Sequence, residues 1–136
     1  MTINGGCHCH NIQYEFSPDR DIGELSFREC SCSYCSRAGA IYTSDPSGSI
    51  KINIKDPDKI SIYHFASGVI DFVFCSRCGI MPYARVVTND RPYAVINART
   101  ADIDLDAVSV SSLAIAEESP AEAMLRRARN WTPIVS

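Results

Sequence analysis

The chain has 136 residues, 46% hydrophobic and 21% charged, with a formal net charge of −3. That length suits a single domain burying roughly two-thirds of its unfolded surface, and the slightly acidic balance offers no electrostatic footprint for nucleic acid or an anionic membrane. No apolar run approaches the roughly 20 residues of a membrane helix, and Met1–Cys9 lacks the basic and apolar regions of a signal peptide, so the cytoplasm is the expected compartment.

In chain order, the pattern is mostly that of strands. Asn11–Phe16 alternates Ile12, Tyr14 and Phe16 on one face, the period of a half-buried strand. Leu25–Phe27 reads as a short strand leading into a cysteine-rich stretch. Ser44–Ser49 is a turn cluster, after which Ile50, Ile52 and Ile54 alternate again. Asp56-Pro57-Asp58 is a second turn, followed by an alternating Lys59–Phe65, a Ser67-Gly68 hairpin loop and Val69–Phe74. Tyr83–Val87 and Tyr93–Ala98 complete the strands. Short strands at this spacing predict a mainly β, antiparallel core in one domain over residues 1–136. Asp102–Val108 reads as one helical turn or a loop. Ser119–Asn130 predicts a short C-terminal helix: Ser119 caps it, Pro120 suits its first position and Glu122 its first turn. Arg126, Arg127 and Arg129 near its end read as a solvated helix terminus.

The seven cysteines are grouped. Cys30, Cys32 and Cys35 form C-x-C-x-x-C within Glu29–Ala40; Cys7/Cys9 form C-x-C upstream and Cys75/Cys78 form C-x-x-C downstream. In a reducing compartment such clusters point to a metal rather than disulfides, and thiolates at this spacing select zinc first. Structural zinc sites use four protein ligands; catalytic ones use three and leave a position open. Seven therefore divides into a closed site, Cys7, Cys9, Cys75 and Cys78, and an open one, Cys30, Cys32 and Cys35, giving two Zn²⁺ per chain. A permuted pairing, with Cys7/Cys9 joining two of the triplet, would strand an odd cysteine beside the C-x-x-C pair. In an extended strand Cys7 and Cys9 would share a face with His8 turned away, and Gly79 after Cys78 permits the tight turn of a zinc knuckle.

Three thiolates leave a zinc site at −1, electron-rich and better suited to a substrate sulfur than to generating hydroxide. The candidate catalytic residues are Cys30, Cys32 and Cys35 with Arg37, whose guanidinium could offset that charge or clamp a substrate carboxylate. His10 and His64 are weaker candidates for a fourth ligand, and Tyr34, Tyr83 and Trp131 are either pocket walls or core.

Gly5–Cys9 (GGCHC), Cys30–Ala40 (CSCSYCSRAGA), Phe74–Gly79 (FCSRCG) and Ala94–Leu105 (AVINARTADIDL) resemble the glutathione-dependent formaldehyde-activating enzyme family, which includes centromere protein V. The resemblance spans nearly the whole chain. It implies a zinc-binding, tent-like β fold with the four-cysteine site structural and the triplet catalytic in type. It also implies carbon–sulfur lyase chemistry on a thiol–aldehyde adduct such as S-hydroxymethylglutathione. Ser31 stands where the family often has histidine, and Ser36 where it often has a second basic residue. Two functions follow: a zinc-dependent lyase taking a small-molecule thiol or its aldehyde adduct, or a zinc-stabilised binding module without catalysis. The fourth ligand of the triplet metal separates them, water or thiol for the enzyme and a protein side chain for the module.

Overall fold

The alternating apolar residues do form strands, and the sheet they build is buried on both sides over part of its width. The computed structural model describes residues 1–64, 68–113 and 119–135. The first strands are β1 (Ile3–Gly6), β2 (Ile12–Ser17), β3 (Phe27–Cys30), β4 (Tyr42–Thr43) and β5 (Ser49–Ile54). They are followed by β6 (Ile60–Tyr63), β7 (Asp71–Cys75), β8 (Tyr83–Thr88), β9 (Arg91–Asn97), β10 (Val110–Leu113) and β11 (Thr132–Val135). Among the described residues two α-helices interrupt them, α1 (Ser33–Ala38) and α2 (Pro120–Asn130).

One wing of the sheet runs β1-β2-β5-β11, with β2 and β5 paired antiparallel from Ile12↔Ile54 to Ser17↔Ser49. The other contains β6-β7-β8-β9, a continuous antiparallel meander. Strand β9 is the hinge between them. Its β8 edge is paired along its length, while its opposite edge is shared by β11 at Tyr93–Ala94 and β4 at Ile96–Asn97. The sheet is therefore mainly antiparallel, as the alternation predicts. Two ladders, β10 on β3 and β11 on β5, are parallel, because their strands return after long excursions rather than through hairpins.

The two faces of the β7–β9 sheet carry different cores. Val73, Cys75, Tyr83, Ala94 and Ile96 join Ile12, Tyr14, Phe16 and Phe27 in one cluster. Phe72, Ala84, Val86 and Val95 join Cys35, Tyr42 and Trp131 in the other. Neighbouring residues in a strand point to opposite sides, so this alternation assigns one face to each cluster.

Several boundaries differ from the sequence reading. The strand before the triplet is Phe27–Cys30 rather than Leu25–Phe27, because Asp21 and Glu24 close a capping box on a single 3-10 turn at Ile22–Glu24 that ends at Leu25. The C-x-C pair does not lie in an extended strand. It forms the β1–β2 turn, in which the His10 amide donates to the Cys7 carbonyl at 3.1 Å and His10 adopts φ 66°. The Asp102–Val108 stretch holds a 3-10 turn at Leu105–Ala107. Helix α2 starts as predicted, Ser119 and Glu122 forming a reciprocal capping box before Pro120. Phe65 and Ser67 of the expected strand end and hairpin lie outside the described residues.

The turn after β4 is held by a buried carboxylate. Asp45 Oδ2 accepts from the amides of Asp19 at 2.8 Å and Arg20 at 3.2 Å, and Oδ1 accepts from Ser47 at 3.0 Å. Burial pushes its pKa up, but these three N–H donors outweigh it and hold the carboxyl below its usual value. Asp45→Asn is expected to cost about 2 kcal/mol, roughly 6–10 °C in Tm, because an amide presents donors where donors already sit. A depressed folded-state pKa contributes stability that is present above the unfolded carboxyl value, near 3.9, and lost as pH falls through the folded value. The Tm gap between wild type and variant should thus stay constant above about pH 5 and close below about pH 4. Melts showing a gap indifferent to pH would overturn the carboxylate's role.

Candidate metal centres

The two sulfur clusters anticipated from spacing are both formed. Cys7, Cys9, Cys75 and Cys78 bring their sulfurs within 4.8 Å of one another, and so do Cys30, Cys32 and Cys35. All seven are free thiols, and the permuted pairing is not the one formed.

The four-cysteine cluster is built from two turns. Cys7 and Cys9 come from the β1–β2 turn, where the Ile12 amide donates to the Cys7 sulfur at 3.2 Å. Cys75 ends β7 and Cys78 follows in a knuckle, closed by the Gly79 amide on the Cys75 carbonyl at 2.8 Å and by the Arg77 amide on the Cys75 sulfur at 3.3 Å. Gly79 has φ 80°, a conformation that disfavours residues with a Cβ. Zinc–thiolate bonds of about 2.3 Å at tetrahedral angles would place sulfurs about 3.8 Å apart. The Cys7–Cys9 and Cys9–Cys75 separations are 3.7 and 3.5 Å, so this donor set fits such an ion.

The electrostatics point the same way. Burial pushes Cys78 up, but the Cys9 and Ile80 amides and neighbouring thiols outweigh it and bring it to about 6. The Asn11 amide draws Cys9 down, yet burial and the crowding of Cys75, Cys7 and Cys78 push harder, to about 11. Four such sulfurs cannot all ionise without a cation among them.

The triplet is organised by α1. Cys30 ends β3, Cys32 is the N-cap residue of α1 and accepts from the Cys35 amide at 3.3 Å, and Cys35 lies one turn on. Gly39, at φ 67°, ends the helix in the left-handed region, its amide on the Cys35 carbonyl at 3.0 Å. A thiol hydrogen bond from Cys35, then the Cys32 amide and thiol and the Arg126 guanidinium, hold Cys30 down at about 5 against burial. That same bond to Cys30, with burial, raises Cys35. Three convergent sulfurs, one of them held low, suit a soft divalent cation. Among the described residues no fourth Cys, His, Asp or Glu joins them.

Two cavities adjoin this region. One of about 320 Å³ is lined by Cys30, Cys35, Gly39 and Arg99. A larger one of about 900 Å³ lies against Tyr34, Arg37, Tyr63, Met81 and Arg99, and no cysteine lines it. Arg37 is exposed on α1, with Nη1 donating to the Ser33 carbonyl at 3.3 Å, so it borders the larger cavity rather than the sulfurs. Tyr34 stacks on Tyr63 with centroids 5.2 Å apart and walls that cavity; Tyr83 and Trp131 are core.

The two histidine candidates lie elsewhere. His10 borders a separate cavity beside Tyr14 and Lys51, and His64 Nε2 meets Asp71 Oδ1 at 2.6 Å, with Arg85 on the other oxygen at 3.0 Å. Arg126 is not simply a solvated helix end, since it is half-buried and its charge reaches Cys30. Sequence reasoning also missed Tyr42, whose buried hydroxyl lies 3.3 Å from the Cys35 sulfur. It missed Arg99 as well, although Arg99 lies in the Ala94–Leu105 run that carries part of the family resemblance.

Fold and sulfur clusters together define a β protein with two thiolate sites capable of holding metal ions, one with four ligands and one with three. Residues 2–113 match the family described as glutathione-dependent formaldehyde-activating enzyme, and the chain belongs to that family. It is also similar in fold to a crystal structure of a Rhodobacter sphaeroides protein, with TM-score 0.62 and 24% sequence identity over 81% of this chain and 99% of that one. No helix among the described residues is long and apolar enough to cross a membrane.

Proposed function

We propose that the protein is a zinc-dependent carbon–sulfur lyase acting on a thiol–aldehyde adduct of the S-hydroxymethylglutathione type. Two zinc ions per chain would be held, one structural at Cys7, Cys9, Cys75 and Cys78, and one of catalytic type at Cys30, Cys32 and Cys35. The observation that carries the reading is a three-sulfur cluster that no fourth ligand joins among the described residues, beside a cavity that Cys30 and Cys35 line. The family's named chemistry agrees with it. The whole chain acts as one domain, since β11 lies beyond the family match yet pairs with both β5 and β9. Seven free thiols accord with a cytoplasmic setting.

Zinc bound at the triplet would supply Lewis acidity and an affinity for sulfur. In the lyase direction the adduct's C–S bond breaks with its electron pair going to sulfur. Its hydroxyl loses a proton to solvent as the C=O bond forms, and the products are a thiolate and an aldehyde, with no net oxidation. The protein's part is to hold the three sulfurs and place the substrate. Tyr42 fixes the Cys35 sulfur from the core side, α1 fixes the Cys32–Cys35 spacing, and Arg37 faces the larger cavity, where the far end of a long thiol would lie.

Replacing the triplet metal with cobalt gives a direct test. Added thiol should strengthen the sulfur-to-cobalt charge-transfer absorption, and the zinc protein should speed formaldehyde release from S-hydroxymethylglutathione. A chromophore indifferent to every thiol, in protein carrying two metals, would overturn the lyase reading in favour of the binding module.

A further inference from the structure

We propose that Arg99 is the residue that selects a carboxylate-bearing thiol for the triplet site, holding the substrate's carboxylate while its sulfur lies against the cysteines. The inference rests on the lyase reading and names the part of the substrate that reading leaves open.

Among the described residues, Arg99 is the one basic residue on the walls of both cavities: the small one shared with Cys30 and Cys35, and the large one shared with Tyr34 and Arg37. It is fixed from two directions. Its own amide donates to Asn97 Oδ1 at 3.2 Å, and Asn97 is itself buried, with Nδ2 on the Met81 carbonyl at 3.0 Å. Its side-chain Nε donates to the Gly39 carbonyl at 2.6 Å, at the C-terminal end of α1. Among the described residues no carboxylate pairs with Arg99 and no hydrogen bond uses its terminal nitrogens. With Nε anchored, much of the entropy of ordering a long side chain is already spent, and the two terminal nitrogens remain as a fork whose geometry matches a carboxylate. An anionic thiol reaching the Cys30–Cys35 cavity would meet this fork within the same small space. A neutral thiol would gain nothing from it.

The test compares glutathione, glutathione diethyl ester and 2-mercaptoethanol as ligands of the cobalt-loaded full-length protein, read by charge-transfer absorption. In wild type, glutathione should bind at least about 10-fold more tightly than its ester, as expected for loss of a charge-assisted pair. Arg99→Gln should remove that preference, while affinity for 2-mercaptoethanol stays within about twofold. Arg99→Lys should recover only part of it, since an ammonium is not a fork. Equal binding of acid and ester by wild type overturns the proposal without any variant, and so does equal weakening of all three ligands in Arg99→Gln, which would show that Arg99 merely braces Gly39. If 2-mercaptoethanol perturbs the spectrum and the acid–ester difference is absent, Arg99 selection falls and the lyase reading stands. If no thiol perturbs it, both fall.

Discussion

In thermal melts of the metal-loaded protein, Cys78→Ser is expected to abolish the cooperative transition of the wild type. The cluster it belongs to joins the β1–β2 turn to the end of β7, two places nearly seventy residues apart in the chain. Structural zinc sites bind with about 10–16 kcal/mol in peptides, comparable with the whole stability of a typical domain, about 5–15 kcal/mol. Serine keeps the shape of the knuckle but not the sulfur, so the loss reports the metal bond rather than a packing defect. Metal analysis should fall from two ions to one or none, and a melt like that of wild type would show the cluster to be dispensable.

Cys32→Ser should behave in the opposite way. Cys32 is both a candidate ligand and the N-cap of α1, and serine is a good N-cap residue. Its hydroxyl can take over the Cys35 amide that the sulfur now accepts, so the helix survives while the triplet loses a donor. The fold should be retained with little change in Tm, one metal ion should be lost, and lyase activity should drop by at least about 100-fold, more than the loss of a supporting hydrogen bond costs. Cys32→Ser and Cys78→Ser melting alike, both unfolded, would make the triplet structural and remove the ground for an open catalytic site.

The division of the cysteines was legible because ligand spacing is local and zinc accepts few geometries. Fold class followed from period-two alternation in segments such as Asn11–Phe16, and α2 from its capping box. What escaped was either too short or too distant. Strand β4 has only two residues, too few for a period. Strand β10 is half serine, and β11 contains Pro133, which argues against a strand when read locally. Its place is fixed only by partners far away in sequence. Helix α1 is six residues long, too short to show a helical period, although Gly39 marks its end. Tyr42 and Arg99 belong to the triplet region only through β4 and the turn after β9, and no spacing rule reaches that far. The C-x-C spacing suits a strand because that conformation also aims two sulfurs one way; the β1–β2 turn achieves the same convergence.

Strand β7 sits between the two cores. Val73 and Cys75 serve one, and Phe72 and Phe74 the other. Most antiparallel strands have a solvent face on which a misplaced residue is tolerated. This one has none, so removing a single residue from it would carry the sulfur of Cys75 to the side of Tyr34 and leave Ser76 in its place at the four-thiolate cluster. Insertions and deletions are therefore admissible between the strands of this sheet but not within β7, and any lengthening of the chain to take a larger thiol has to enter through its loops.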